Sequence, residues 1–318
     1  MESNSLKSLG GELRDLERTY KEEIEPYRSE LWHYCYRLTR SPWDAEDLVQ
    51  ETLLKSFSML TKLYQPVYTR AYLFKVASNL WIDWNRKNKF RNEPYNGVFI
   101  SDKASSFDLE LIDNLDYLIK HLTPNQYVSF LLTEIFDFKA KEAAGMIAST
   151  EGAVYTNVTR ARAILKKEMN NPAVKRRSKP IQLTANDSIE TLLEGFRQKD
   201  PDMIASVLNE EIVTDITHAG IEIGLSETKK NSLKDWKQVV DSQYTLEAHY
   251  VELWGRPVVA EMERKRDGQL YLSNIHYFEA EENHITYWKF YCFSWDLMKS
   301  AADELDVKLN AEYFYHIF

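Results

Sequence analysis

The sequence predicts a multidomain chain that is all-α in its first half and α+β in its second. Three observations carry this. Apolar residues recur at helical steps up to about residue 170. Beyond it come short β-type runs separated by turn residues. The charge divides at the same place: residues 1–180 hold 27 Lys+Arg and 24 Asp+Glu, whereas 181–318 hold 13 and 25. One half can approach nucleic acid and the other is repelled by it. The 318-residue length allows two or three domains at roughly 100–200 residues each, and 44% hydrophobic with 28% charged residues is a globular composition. No apolar run nears the ~20 residues of a bilayer span. Met1-Glu2-Ser3-Asn4 lacks a secretory pattern, so a cytoplasmic protein without membrane contact is expected. Cys35 and Cys292 suit neither a disulfide framework nor a zinc site, and no metal or cofactor is expected.

The elements follow in order. Leu13, Leu16, Tyr20, Ile24, Tyr27, Leu31, Tyr34 and Leu38 form one helical stripe, which Pro26 is expected to divide. Ser41-Pro42-Trp43-Asp44 is a helix start, with Ser41 as cap and Pro42 in the first turn. A third helix runs from about Thr69 to Arg91. Residues 92–108, rich in Asn, Ser, Gly and Asp, read as a linker, and further helices fill 108–170. Lys175-Arg176-Arg177-Ser178-Lys179-Pro180 reads as a second linker. After it, helices are expected at 187–198 and 232–241, and strands at 212–217, 244–253, 258–263, 270–278 and 285–293. Gly255-Arg256-Pro257, Arg266-Asp267-Gly268 and Glu281-Glu282-Asn283 punctuate them as hairpins.

Three stretches carry recognition chemistry. On the wheel of the third helix Leu73, Val76, Ala77, Leu80 and Trp84 share a face, opposite Lys75, Asn79, Ile82, Arg86 and Lys89, with Tyr72 and Trp81 flanking. A basic face bordered by aromatics can follow phosphates and stack on unpaired bases. The same pattern also describes a solvated face over core aromatics. Residues 140–147, a Ser149-Thr150 turn and a helix holding Val154, Val158, Ala161 and Leu165 inward read as helix–turn–helix. The second helix presents Thr156, Thr159, Arg160 and Lys167 outward, with Tyr155, Arg162 and Lys166 beside them. Short polar side chains near its start reach base edges and the cations hold phosphates; an ordinary helical hairpin gives the same spacing. In Asp44-Ala45-Glu46-Asp47-Leu48-Val49-Gln50-Glu51, Leu48, Thr52, Leu53, Phe57 and Leu60 turn inward. Asp47, Gln50, Glu51 and Leu54 turn outward, a face suited to a basic protein partner or simply to water.

In this order the three closely resemble the extracytoplasmic-function sigma factors, over roughly residues 15–170. Asp44 to Thr52, then Arg70-Ala71-Tyr72-Leu73-Phe74, Ala77-Ser78-Asn79-Leu80 and Asp83-Trp84-Asn85-Arg86, resemble their region two. Leu122-Thr123-Pro124, Glu142-Ala143-Ala144, Glu151-Gly152-Ala153-Val154 and Arg160-Ala161-Arg162 resemble region four. The resemblance implies two all-α sigma domains, a region-two bundle at 1–92 and a region-four helix–turn–helix at 109–172, joined by a linker at 93–108. It implies a partner, core RNA polymerase through its β′ clamp helices and β subunit, met by Asp47, Gln50, Glu51 and Leu54. It implies promoter DNA as the second partner. The −10 element falls to Lys75, Asn79, Trp81, Asp83, Arg86, Lys87 and Lys89. The −35 element falls to Thr150, Glu151, Tyr155, Thr156, Thr159, Arg160, Arg162 and Lys166. Such a protein does no covalent chemistry and is not an enzyme. Two departures stand out. The family usually has Gly and an apolar residue where Ala148-Ser149 stand, and commonly has cations where Tyr155 and Asn157 stand. Ala fits a turn easily only at negative φ.

Beyond a basic linker at 173–184, the order of elements over 185–318 and the phrase Trp254-Gly255-Arg256-Pro257-Val258 resemble the SnoaL-like α+β cone. In sigma factors carrying it, the cone is thought to modulate activity. Asp215, His218, His249 and His276 lie on or beside its strands, and an Asp–His pair can do acid–base work near neutral pH. Two other readings stay open: a polymerase-independent helix–turn–helix regulator, and a small-molecule enzyme in the last domain. The net −12 of residues 181–318 also permits an intramolecular contact in which that domain covers the basic faces. Unchanged DNA binding and transcription after its deletion would refute that contact.

Overall fold

The computed structural model describes residues 2–60, 70–87, 115–168, 180–281 and 283–310. Leu13, Leu16, Leu60 and Lys167 as side chains, Lys89, and the linkers expected at 92–108 and 175–179 fall outside what is described. The chain divides into two compact units, a helical one before residue 176 and an α+β one after it.

The helical unit begins with α1 (Glu2–Thr39), which runs through Pro26 without dividing. Pro26 and Glu22 both lie on an exposed stretch, where a helix tolerates the bond that proline removes. In α2 (Pro42–Leu60) the Ser41 hydroxyl accepts from the Asp44 amide at 3.3 Å, as the capping pattern expected. Trp43, Ala45, Leu48, Val49 and Thr52 of α2 are buried, and Glu46, also buried, accepts the Trp32 indole N–H at 2.9 Å. Against them packs α3 (Arg70–Lys87).

Among the described residues this unit continues with α4 (115–121), α5 (Pro124–Phe130), α6 (Ala140–Met146) and α7 (Glu151–Glu168). Thr123 and Gln126 form a reciprocal capping box at the start of α5, with Pro124 in its first turn. A π-type turn, Leu131–Ile135, follows α5 and leads to Phe136 and Phe138. Those rings pack on α1 and α3: Phe136 lies 5.0 Å from Tyr34 and 5.2 Å from Phe74, and Phe138 lies 5.2 Å from Phe74. The Tyr127 hydroxyl donates to the Arg37 carbonyl at 2.6 Å, and Arg40 pairs with Asp116 at 2.8 Å. The two helical segments thus share a single core.

The α+β unit is built on one mixed sheet in the order β1-β4-β5-β6-β7-β2-β3, with the short β8 added beside β6. The long strands are β2 (Leu208–Ile216), β4 (Thr245–Leu253), β5 (Arg256–Arg264), β6 (Leu270–Glu281) and β7 (His284–Phe290). The short ones are β1 (Ile181–Gln182), β3 (Gly220–Ile223) and β8 (Lys308–Leu309). β4 to β7 form the expected antiparallel meander, while β2–β7 and β6–β8 are parallel. The β4–β5 turn lies one residue earlier than expected, at Trp254-Gly255, with φ of 49° and 76°. Two positive φ values in a two-residue loop match the twist of the strands, and Gly255 adopts its value without penalty. Pro257 therefore sits inside β5, opposite Glu252.

α8 (Asp187–Gln198), α10 (Leu225–Thr228), α11 (Lys234–Ser242) and α12 (Trp295–Leu305) pack on the sheet, and α9 (Pro201–Ala205) packs on α8. Asn186 caps α8 and Asp200 caps α9. α8 and α9 approach so closely that a Cβ on Gly195 would meet the Ile204 Cγ1 at 2.7 Å. Among the described residues no helix is long and apolar enough to cross a membrane, and no three acidic, His or Cys side chains are grouped to hold a metal.

Candidate functional site

The outer face of α2 follows from what its inner face buries. With Leu48, Val49 and Thr52 turned inward, Asp47 and Glu51 are exposed, Gln50 is half-exposed and Leu54 is 64% exposed. An apolar side chain so open beside two carboxylates gives a surface that a cationic, partly apolar partner complements. Leu53 and Phe57 are half-buried, and Ser56, unassigned in the sequence reading, completes the inner face by bonding to the Tyr20 hydroxyl.

On α3 the buried face differs from the expected one by about a quarter turn. Leu73 and Ala77 are buried as expected, but Phe74, Ser78, Trp81 and Ile82 join them, while Trp84 is 48% exposed. The cause is tertiary. Phe74 stacks on Tyr34 at 4.3 Å, Ser78 bonds to the Tyr34 hydroxyl at 2.6 Å, and Trp81 lies 5.6 Å from Tyr127. Lys75, Asp83, Arg86 and Lys87 are exposed, with Asp83 and Arg86 3.6 Å apart. Asn79 is half-buried, donating to the Lys75 carbonyl of its own helix and, at 3.2 Å, to the Met146 carbonyl of α6. Trp81, expected to flank the basic face, is turned away from it.

The turn between α6 and α7 ends α6 by a bond from the Ser149 amide to the Ala144 carbonyl at 2.9 Å, with Ala148 at φ 51°. This cap normally uses glycine in that left-handed position. The negative φ that would suit Ala148 is not adopted, because the cap geometry imposes the other sign. Thr150 then caps α7, accepting from the Ala153 amide at 3.2 Å. Val154, Val158 and Ala161 are buried, and Leu165 is half-buried. Thr150, Glu151, Tyr155, Thr156, Thr159, Arg160, Arg162 and Lys166 are all exposed. The Thr156 and Thr159 hydroxyls donate to carbonyls one turn back, and Arg162 holds Glu134 at 2.6 Å. The exposed Tyr155 ring is held by a long 3.4 Å bond to Glu151.

In the α+β unit the four residues considered for acid–base chemistry separate. His276 is fully buried, meets Glu261 at 3.0 Å and accepts the Trp288 indole N–H at 3.1 Å; the Trp236 indole donates to the same Glu261 oxygen. With Phe196 stacked on its ring at 4.7 Å, His276 belongs to a sealed aromatic core. Asp215 accepts from Tyr287 and lies 3.6 Å from Lys289, and His249 pairs with Glu247 on the same strand. His218 lies in the turn before β3 at φ 67°. The sequence reading missed Glu261 and Glu263, although two acids inside the apolar run Val258-Val259-Ala260-Glu261-Met262-Glu263 are a signal of buried polar structure.

The sigma-70 region 2 family model matches residues 24–91. The ECF RNA polymerase sigma factor SigG of Mycobacterium tuberculosis is 26% identical over 223 residues, covering 61% of this chain and 60% of that protein. SigJ of the same organism is 28% identical over 231 residues, covering 69% and 70%. The chain therefore spans about 60% of the length of SigG. The crystal structure of SigJ aligns with 85% of this chain and 95% of its own, at 19% identity and a TM-score of 0.33. Residues 24–91 thus match sigma-70 region 2, and over more than 220 residues the chain is similar to two extracytoplasmic-function sigma factors; further helices and an α+β unit follow the matched region.

Proposed function

We propose that the chain is an alternative sigma factor that binds core RNA polymerase in the cytoplasm and directs initiation at particular promoters. The observation that carries this is the open acidic–apolar face of α2 inside a sigma-70 region 2 domain. In this reading Asp47, Gln50, Glu51 and Leu54 meet the β′ clamp helices. Lys75, Arg86 and Lys87 follow the phosphates of the −10 element. The exposed face from Thr150 to Lys166 meets the −35 element, with Tyr155 substituting ring contact for charge. The α+β unit modulates these activities and does no covalent chemistry.

One physical consequence concerns α3. Asn79 is bonded to the Met146 carbonyl and Trp81 is buried against Tyr127. Neither can meet an unpaired base while α5 and α6 stay in place, so opening the promoter requires these helices to move off α3. Capture of unstacked bases, at ~1–3 kcal/mol each, is of the size needed to offset such a separation. The test is promoter-selective transcription by core polymerase with the intact chain. Start-site-specific transcripts that require the chain are expected. DNA binding without any association with core polymerase would refute the reading and leave a polymerase-independent regulator.

A further inference from the structure

The α+β unit contains a cleft of about 920 Å³ between α11, the turn into β3 and the ends of β5 and β7. Three acids, Glu222, Asp235 and Glu263, line it together with Trp236, Phe290 and Phe293; among the described residues no Lys, Arg or His lines it. Glu263 is 8% exposed. Its oxygens accept from the Tyr244 amide and the Asn310 amide group, each at 2.9 Å, and no cation pairs with it among the described residues. A buried carboxylate with hydrogen bonds but no counter-charge is a costly arrangement that a bound cation relieves.

A second observation points the same way. Gln243 and Asn310, 8% and 3% exposed, also line the cleft, and among the described residues the Asn310 Oδ1 is buried without a partner. The Asn310 nitrogen is identified by its bond to the Glu263 carboxylate, so the orphaned atom is the oxygen. The cleft thus offers hydrogen-bond acceptors, negative charge and aromatic surface. Its complement has N–H donors, positive charge and an apolar body.

We infer that this cleft binds an organic ammonium ion, a primary or secondary amine carrying an apolar group. The ammonium group lies toward Glu263 and the orphaned Asn310 carbonyl oxygen, and the apolar body lies against Trp236, Phe290 and Phe293. Anionic ligands, phosphorylated ones included, are rejected by the three carboxylates. The inference is independent of the sigma-factor reading.

The test is calorimetric titration of the full chain near neutral pH with three isosteric probes: phenethylamine, phenethyl alcohol and phenylacetate. Saturable binding of the amine, at least about tenfold tighter than the alcohol, is expected, with phenylacetate not binding. Glu222→Gln and Glu263→Gln are each expected to weaken the amine by about tenfold. Should Glu263→Gln fail to fold, Glu222→Gln and the three-probe series on the unaltered chain still decide. Equal affinity for amine and alcohol, preference for phenylacetate, no saturation up to about 10 mM, or undiminished amine binding in folded variants would each overturn the inference.

Discussion

Arg70 fastens α3 to both its neighbours, so replacing it by Ala tests how the helical unit is held together. Its guanidinium bonds Glu30 of α1 through Nε at 2.8 Å and Nη2 at 2.6 Å, and Nη2 also donates to the Phe136 carbonyl at 2.7 Å. It lies 4.1 Å from the Phe138 ring centroid and 5.1 Å from that of Phe74. The Arg70 and Glu30 side chains are 31% and 39% exposed, so water screens the ion pair and it is worth at most ~1 kcal/mol. The carbonyl bond adds about 1 kcal/mol and the ring contacts ~0.5–1 kcal/mol. Arg70→Ala is expected to destabilise the helical unit by about 2–3 kcal/mol. Arg70→Lys, which keeps the charge but loses the fork, should cost about half as much. Because the chain has two units, unfolding of the intact protein is followed by hydrogen exchange, and protection is compared in α3 and in the strands β4 to β7. Loss confined to the helical unit is expected. A change below about 0.5 kcal/mol, or equal loss in both units, would refute the reasoning.

Other consequences are local. Ala148→Gly should stabilise the helical unit by about 0.5–1 kcal/mol in denaturant unfolding, since relief of the left-handed alanine exceeds the added entropy of the unfolded chain. Gly195→Ala should destabilise the α+β unit by ~1–2 kcal/mol despite its better helix propensity, because the new methyl collides with Ile204; thermal unfolding measures it. Burial, with Glu261 adding to it, pushes the Cys292 thiol from 9.0 up to about 12. The folded thiol keeps its proton to higher pH than the unfolded one. Its stabilising contribution is therefore complete below about pH 9 and lost as pH rises through 12, visible in alkaline unfolding. Below that window, alkylation of Cys292 should be slow in the native protein and fast in denaturant.

What the sequence disclosed depends on how local each cause is. The α2 start was legible because a Ser-Pro pair caps within one turn, and the outer residues of α2 followed from a stripe that packs on one side only. α3 misled because it packs on two sides. Its second buried side, Phe74, Ser78 and Trp81, is defined by Tyr34, Tyr127, Phe136 and Phe138, which are distant in the chain. The meander β4 to β7 was visible from its turns, yet Pro257 suggested a loop where the structure has the second residue of β5, which pairs with β4 before the pairing with β6 begins. β3 and α12 went unread: four residues show no period, and Trp295–Leu305 follows an aromatic run without a side-chain cap. The cleft was illegible because Glu222, Gln243, Glu263 and Asn310 come together only when β3, α11, β5 and the end of β8 do.

The central claim, that the α2 face docks on core RNA polymerase, is tested most directly by measuring the affinity of the intact chain for core enzyme beside that of Asp47→Lys/Glu51→Lys. Both residues are exposed, so the variant should keep its fold, which circular dichroism checks. The account expects tight binding by the native chain and a loss of at least about a hundredfold in the variant, as two attractive charge contacts become repulsive. Equal affinity of both proteins, or no binding by the native chain, would contradict it.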